Sequence, residues 1–134
     1  MLQVEHLTKR YGAVTAVDDL SFEIAGAGVY GFLGPNGAGK STTMNIMTGC
    51  LSATRGTVKI SGYDIYEEPR EAKRRVGYLP EQPPLYLGET PEEYLRFVGE
   101  AKGLRGAELK RQMASVIDET GIGDMKNRRI SALS

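Results

Sequence analysis

The chain is poor in the residues that build covalently or metal-stapled scaffolds. It has a single cysteine, Cys50, and a single histidine, His6. One cysteine rules out an intrachain disulfide, which fits a reducing compartment. A structural zinc site needs several Cys or His ligands, so the composition excludes one as well. Charge of one sign is also missing: 17 Lys and Arg balance 17 Asp and Glu over 134 residues. That balance leaves no electrostatic footprint for nucleic acid or for an anionic membrane. No apolar run approaches the length of a membrane helix. The opening Met1-Leu2-Gln3-Val4-Glu5-His6 has no basic head followed by an apolar stretch, so it does not read as a signal peptide. The sequence reads as a soluble chain, with any membrane link supplied by a partner. What is present is ordinary for a globular protein: 40% hydrophobic and 25% charged residues, and enough length for one modest domain with a real core.

Periodicity divides the chain. The first part reads as strands interrupted by one helix. Val4 to Leu7 is a short candidate strand, and Val17 to Ile24 alternates through Leu20, Phe22 and Ile24 as a half-buried strand does. Gly28 to Leu33 is a compact apolar run expected to be a strand, as are Thr57 to Ile60 and Val76 to Leu79. Ser41 to Thr48 carries Met44, Ile46 and Met47 and stops at Gly49, which predicts a helix. The second part reads mainly as helices. Thr90-Pro91-Glu92-Glu93 is a helix start: Thr90 caps, Pro91 takes the first helical position and Glu93 completes a capping box. Tyr94, Leu95, Phe97, Val98 and Ala101 form one expected apolar face, ending at Gly103. A second helix carries Leu109, Met113, Val116 and Ile117 and stops at Gly121. The change near Thr90 suggests a subdomain boundary, giving segments 1–89 and 90–134. The abrupt end at Leu133-Ser134 suggests a truncated domain.

Gly34-Pro35-Asn36-Gly37-Ala38-Gly39-Lys40-Ser41 matches G-x-x-x-x-G-K-[ST] in full. A polyphosphate is highly anionic and needs many converging donors. Glycines let backbone N–H groups point inward without side-chain clash. A helix starting near Lys40 adds its positive end. Lys40 can reach the β- and γ-phosphates, and the Ser41 hydroxyl can bind Mg²⁺. A chance match in a chain of this composition is about one in a hundred. A Ras-like reading fails. Asp118-Glu119-Thr120-Gly121 fits D-x-x-G in letters only, and no N-K-x-D is present. Val116-Ile117-Asp118-Glu119 mimics the acidic end of a Walker B strand, but its spacing with Leu109 and Met113 is helical, so Asp118 and Glu119 read as solvated carboxylates.

Four stretches resemble the nucleotide-binding subunits of ABC transporters: Leu7-Thr8-Lys9-Arg10-Tyr11-Gly12; GPNGAGKSTT from Gly34 to Thr43; Gly56-Thr57-Val58 with Ser61-Gly62-Tyr63-Asp64-Ile65; and Val76-Gly77-Tyr78-Leu79-Pro80-Glu81-Gln82. The LPEQPPLY wording is similar to the ABC-2 exporter group. The resemblance implies an α/β fold, a P-loop NTPase core with an N-terminal antiparallel β subdomain and the start of a helical subdomain. It implies ATP and Mg²⁺ as cofactors. Residues Gly34, Pro35, Asn36, Gly37, Ala38, Gly39, Lys40, Ser41 and Thr42 would cradle the nucleotide, and Tyr11 would stack on adenine. Gln82 would touch the Mg²⁺ or the attacking water, so Lys40 and Gln82 are the catalytic candidates and Ser41 and Gln82 the metal candidates. Tyr11 can equally be a surface aromatic beside a turn, and Gln82 one solvated residue of a proline-rich loop.

The resemblance further implies a membrane permease partner, a second ATPase subunit with ATP at the interface, no nucleic acid, and a cytoplasmic position on the inner face of the cell membrane. The family's signature begins Leu-Ser-Gly-Gly, and Leu133-Ser134 resemble its first letters. The Walker B aspartate, catalytic glutamate and switch histidine would lie further on, and His6, in the opening strand, cannot replace the last of these. The 134 residues alone are therefore expected to grip phosphate without hydrolysing it. Two other readings are a soluble ABC ATPase of DNA repair or translation and a nucleotide sensor. The prolines and apolar residues of Pro83-Pro84-Leu85-Tyr86-Leu87 form a loop that either meets the membrane partner or packs under the two helices. Cys50, after Gly49, is expected to be a buried or neutral thiol. Lys73-Arg74-Arg75, beside Glu67, Glu68 and Glu71, reads as a solvated helix face.

Overall fold

A computed structural model describes residues 1–133. The chain divides into two compact units, Met1–Leu79 and Pro80–Ser134. This division falls earlier than the change of periodicity near Thr90.

The first unit is built on a four-stranded antiparallel sheet of order β2-β1-β3-β4. β1 is Leu2–Tyr11, β2 is Val14–Ile24, β3 is Arg55–Ile60 and β4 is Tyr63–Asp64. β1 and β2 form a hairpin that turns at Gly12 and Ala13, with Tyr11 opposite Val14. Alternation in β1 breaks at His6. Val4 is buried, yet so are Leu7 and Thr8, and the register shifts between Val4 and Leu7. His6 takes the left-handed conformation (φ 50°) that a bulge demands. The neighbouring strand allows this only because residue 56 is glycine: a Cβ there would lie 2.5 Å from the carbonyl oxygens of Glu5 and His6.

Helix α1, Lys40–Met47, lays Thr43, Ile46 and Met47 onto the sheet. The core is Val4, Leu7, Val17, Ile46, Met47, Val58, Ile65 and Ala72, the last from the short helix α2, Pro69–Lys73. Fully buried residues such as Leu7 and Ile46 contribute roughly 1.5–3 kcal/mol each through burial. α2 supplies the helix expected around Lys73, and its Lys73 side chain donates to the Gly49 carbonyl (3.1 Å).

Two expected strands do not form. Gly28–Leu33 and Val76–Leu79 are irregular and pair with no strand among the described residues. Val29 is fully exposed, and Leu33 and Leu79 nearly so. An apolar run has strand-forming side chains, but a strand exists only through its ladder, and among the described residues neither segment has a neighbour to complete one. Cys50 is likewise exposed rather than buried, because it lies beyond the end of α1 where the chain turns away.

The second unit is a helix pair, α3 (Pro91–Ala101) and α4 (Gly106–Thr120), followed by two 3-10 turns. The capping box at α3 is complete: Thr90 Oγ1 accepts from the Glu93 N–H (3.2 Å), and the Glu93 carboxylate accepts from the Thr90 N–H (2.8 Å). α4 ends on the left-handed Gly121. The expected apolar face of α3 is only half-buried, and Phe97 is 52% exposed. Close packing instead runs through Gly99, where a Cβ would meet Leu109 Cδ1 at 2.4 Å. On α4, Leu109, Met113 and Ile117 turn inward while Val116 turns out, as one stripe of every fourth residue requires. No described helix is long and apolar enough to cross a membrane.

Candidate functional site

The phosphate loop lies in the first unit, between the irregular Gly28–Leu33 segment and α1. Two of its residues, Gly37 (φ 83°) and Gly39 (φ 82°), are left-handed. Gly39 is the cap of α1, and no side chain closes that helix end. A Cβ on Gly39 would stand 2.3 Å from the Ala16 carbonyl oxygen and 3.1 Å from Val17 Cγ2. The loop is therefore pressed against β2, and the sheet fixes its position. Ala38 N–H donates to the Pro35 carbonyl (3.2 Å), making one tight turn. Thr43 is buried and its N–H closes the first helical bond to Gly39 (2.8 Å), which anchors the start of α1.

Lys40 arches over the loop and donates to the carbonyls of Gly34 (2.6 Å) and Pro35 (2.7 Å). Ser41 is exposed and Thr42 half-exposed on the first turn of α1. That turn contains no acidic residue, so the positive helix end is not neutralised. The donor set fits a polyphosphate: an ammonium, an exposed hydroxyl and a glycine-rich stretch of backbone at a helix start.

The structure brings Gly34 through Thr42 together on this loop and helix. Tyr11 is the last residue of β1, 50% exposed, with Lys9 Nζ 5.1 Å from the ring centroid. Gln82 belongs to the second unit, exposed in an irregular segment. Asp118 and Glu119 lie on α4, not at a strand end, and Ser115 Oγ donates to the Glu119 carboxylate (2.8 Å). His6 sits at the β1 bulge and pairs with Asp19 (2.8 Å), both largely exposed. Ser134, with the signature reading attached to it, lies outside the described residues. Sequence reasoning missed one polar tie at the loop's own helix: Tyr78 Oη donates to Asn45 Oδ1 (2.8 Å). Tyr78 stands in the stretch leading to Gln82, but nothing in that stretch or around Asn45 names the other as its partner.

A cleft of about 640 Å³ lies between α3 and α4, lined by residues including Glu92, Met113, Ile117, Asp118 and Asp124. Its lining sets Glu92, Asp118 and Asp124 against Arg96, Lys110 and Lys126, so its charges balance. The loop instead places Lys40 at a helix start with no acidic residue in the first turn, so the chemistry of polyphosphate binding favours the loop. Among the described residues, no cluster of His, Cys, Asp and Glu could hold a metal ion by itself.

The fold and the loop define a phosphate-loop nucleotide-binding protein of the α/β class. Residues 17–134 match the family model described as ABC transporter, so the chain belongs to the ABC transporter ATP-binding family. It is 37% identical over 134 residues to the linearmycin resistance ATP-binding protein LnrL of Bacillus subtilis, covering 100% of this chain and 43% of that protein. It is 34% identical over 133 residues to the daunorubicin/doxorubicin resistance ATP-binding protein DrrA of Streptomyces peucetius, covering 99% of this chain and 40% of that protein. The chain thus spans less than half the length of these relatives. Among solved structures, an ATP-binding subunit of an ABC transporter matches with TM-score 0.79 and 31% identity, over 100% of this chain and 56% of that one. The cbiO1 protein of Clostridium perfringens, part of the ABC transporter complex cbiONQ, matches in fold with TM-score 0.82 and 23% identity, over 99% of this chain and 55% of that one.

Proposed function

We propose that the chain binds Mg-ATP on the Gly34–Thr42 loop, as part of an ATPase that drives transport through a membrane permease. The observation that carries this is the loop itself, pressed onto β2 at Gly39 with Lys40 arched over it. Lys40 holds the β- and γ-phosphates, and its two present carbonyl partners are weaker than phosphate oxygens. Ser41 holds Mg²⁺, which supplies charge neutralisation between the phosphates when bound. Tyr11 stacks on adenine with the ring surface that Lys9 leaves open. Gln82 contacts the metal or positions the attacking water. The names of the relatives support export of drug-like compounds as the work of the full protein, with a second ATPase subunit across the nucleotide. Its place is then the inner face of the cell membrane, held there by the permease.

The test is calorimetric titration with Mg-ATP. Lys40→Ala removes a charged hydrogen-bonding partner, so affinity falls about ten- to a hundredfold. Equal affinities would end the reading. The 134 residues carry no strand-borne acid pair among the described residues, since Asp118 and Glu119 are helical. Binding without turnover is therefore expected of them, and steady phosphate release abolished by Lys40→Ala would overturn that part alone.

A further inference from the structure

Tyr11 closes β1 at the corner of the hairpin, and Lys9 stands two places before it. Alternate side chains of a strand share a face, and these two meet: Lys9 Nζ lies over the Tyr11 ring, 5.1 Å from its centroid. That is within the reach of a cation–π attraction. The same ammonium donates to the Ser52 carbonyl (2.7 Å), a neutral partner. Ser52 is fastened on both flanks by the Tyr66 phenol, which donates to the Leu51 carbonyl (3.0 Å) and accepts from the Ala53 N–H (3.0 Å). The Thr54 N–H then donates to the Thr8 carbonyl (2.8 Å), which ties this segment to β1 itself. Lys9 is thus half-buried and anchored, whereas Tyr11 is half-exposed at a strand end. The cross-strand partner of Lys9 is Val17, whose Cγ2 a Cβ on Gly39 would approach to 3.1 Å. Lys9 is therefore set on the stretch of the strand pair that backs the phosphate loop.

We propose that Lys9 is a positioning residue for the base: its ammonium, pinned by Ser52, occupies one face of the Tyr11 ring and holds the other face open for adenine. The inference rests on the nucleotide reading above and adds to it a residue that serves the site without touching the nucleotide. An exposed tyrosine at a strand end has several staggered side-chain conformations, and stacking on a base requires one of them. A cation over one face selects that conformation in advance, so less side-chain freedom is lost when the base arrives. The ammonium also draws ring electron density toward itself, which lessens the repulsion between the open face and an electron-rich purine.

The experiment is calorimetric titration with Mg-ATP and, separately, with the magnesium complex of ribose 5′-triphosphate, which carries the sugar and phosphates without the base. The unaltered protein binds ATP more tightly by about tenfold, the worth of one stacked base. Lys9→Met keeps an unbranched side chain and removes the charge, so ATP affinity falls about three- to fivefold while affinity for the baseless ligand stays the same. Lys9→Arg keeps a cation over the ring and holds ATP affinity within about twofold of the unaltered protein. Tyr11→Ala lowers ATP affinity to that of the baseless ligand, and adding Lys9→Met to it costs nothing more. If Lys9→Met weakens both ligands alike, its charge acts on the phosphates and the proposal is overturned. Unchanged ATP affinity in Lys9→Met, a Lys9→Arg variant as weak as Lys9→Met, or losses that add to that of Tyr11→Ala overturn it as well. Equal binding of both ligands by the unaltered protein overturns the Tyr11 stack and the role of Lys9 but leaves the phosphate loop standing. Binding of neither overturns the nucleotide reading itself.

Discussion

The two units bury their apolar residues to different depths. In Met1–Leu79 the core draws on the strands and both helices, with Val4, Leu7, Ile46 and Val58 almost wholly out of solvent. In Pro80–Ser134, among the described residues, the buried large apolar side chains are Leu109 and Met113, both from α4. In the first unit the sheet backs the glycine-rich loop at Gly39, against Ala16 and Val17. The second leaves Leu85, Tyr86, Leu87 and Phe97 substantially exposed, which suits a surface that meets something else. The first unit has uncovered apolar residues too, Val29, Leu33 and Leu79, so the two units differ in the depth of their cores and not in exposure as such.

The broadest way to break that contrast is a matched pair of core truncations. Leu7 is fully buried and Leu109 is 6% exposed. Leu7→Ala is expected to destabilise the first unit by about 3–5 kcal/mol and to abolish nucleotide binding at moderate denaturant. Leu109→Ala, at a thinner interface that can collapse onto Gly99, is expected to cost about 2 kcal/mol and to leave nucleotide affinity unchanged. Denaturation followed by exchange in each unit checks both. If Leu109→Ala weakened binding as much as Leu7→Ala, the two regimes would be one.

Gly39 and Gly37 sharpen the contrast within the first unit. Both are left-handed, but a Cβ on Gly37 meets nothing within 4 Å whereas one on Gly39 strikes the Ala16 carbonyl. Gly37→Ala therefore carries only conformational strain, about 1 kcal/mol. Gly39→Ala must also push the loop off β2, and Mg-ATP affinity should fall by about a hundredfold or more. Similar titrations for the two variants would mean that the sheet does not hold the loop.

Legibility follows the same division. The phosphate loop, α1 and the capped start of α3 were readable because each is a local motif, complete within a few residues. The capping box needs only Thr90 and Glu93, and both side chains do what the spacing predicts. β1 and β2 were readable in part; their alternation was visible, but the bulge at His6 depends on Gly56 in another strand. Gly28–Leu33 and Val76–Leu79 were misread for the opposite reason. Their composition suits strands, and strand formation is decided by neighbours that composition does not name. Tyr78 with Asn45 escaped altogether, because a single long-range hydrogen bond leaves no periodic trace.

Tyr86 tests what the second unit leaves open. Its ring packs edge-on against Tyr94 (5.5 Å for Phe97, 6.1 Å for Tyr94 between centroids), yet it stays 55% exposed. The loop thus leans on α3, as the packing expectation has it, and leaves part of the Tyr86 ring open to solvent. In a reconstituted transporter, Tyr86→Ala is expected to leave ATP binding intact and to lower transport per ATP hydrolysed roughly fivefold, the worth of an aromatic contact. Unchanged transport per ATP would remove the permease from this face, and lost ATP binding would mean that Tyr86 serves packing alone.

The smallest expected effect lies at the start of α3. The Glu93 carboxyl is held below the usual glutamate range, first by the Thr90 N–H and then by the Thr90 hydroxyl, with smaller help from Glu89 and Arg129. A depressed folded value means that the ionised form is the one the fold prefers. Its stabilisation is complete above the ordinary glutamate pKa of about 4.3, and disappears as the pH falls through the lower folded value. Acidification below about pH 4 should therefore loosen the first turn of α3 before it touches the sheet of the first unit. Glu93→Gln keeps an acceptor for the Thr90 N–H but cannot titrate, so it should flatten this acid limb while costing little near neutrality. Thr90→Ala removes the cap itself and should cost about 1 kcal/mol near neutrality, and less in acid, because the hydroxyl's bond to the ionised Glu93 carboxylate is lost with it. Exchange rates of the Glu92 to Tyr94 amides, followed from pH 6 to 3 with correction for intrinsic exchange, separate the two. An acid limb that survives in Glu93→Gln would assign it to another carboxylate of the second unit, and the cap would then be held by geometry rather than by charge.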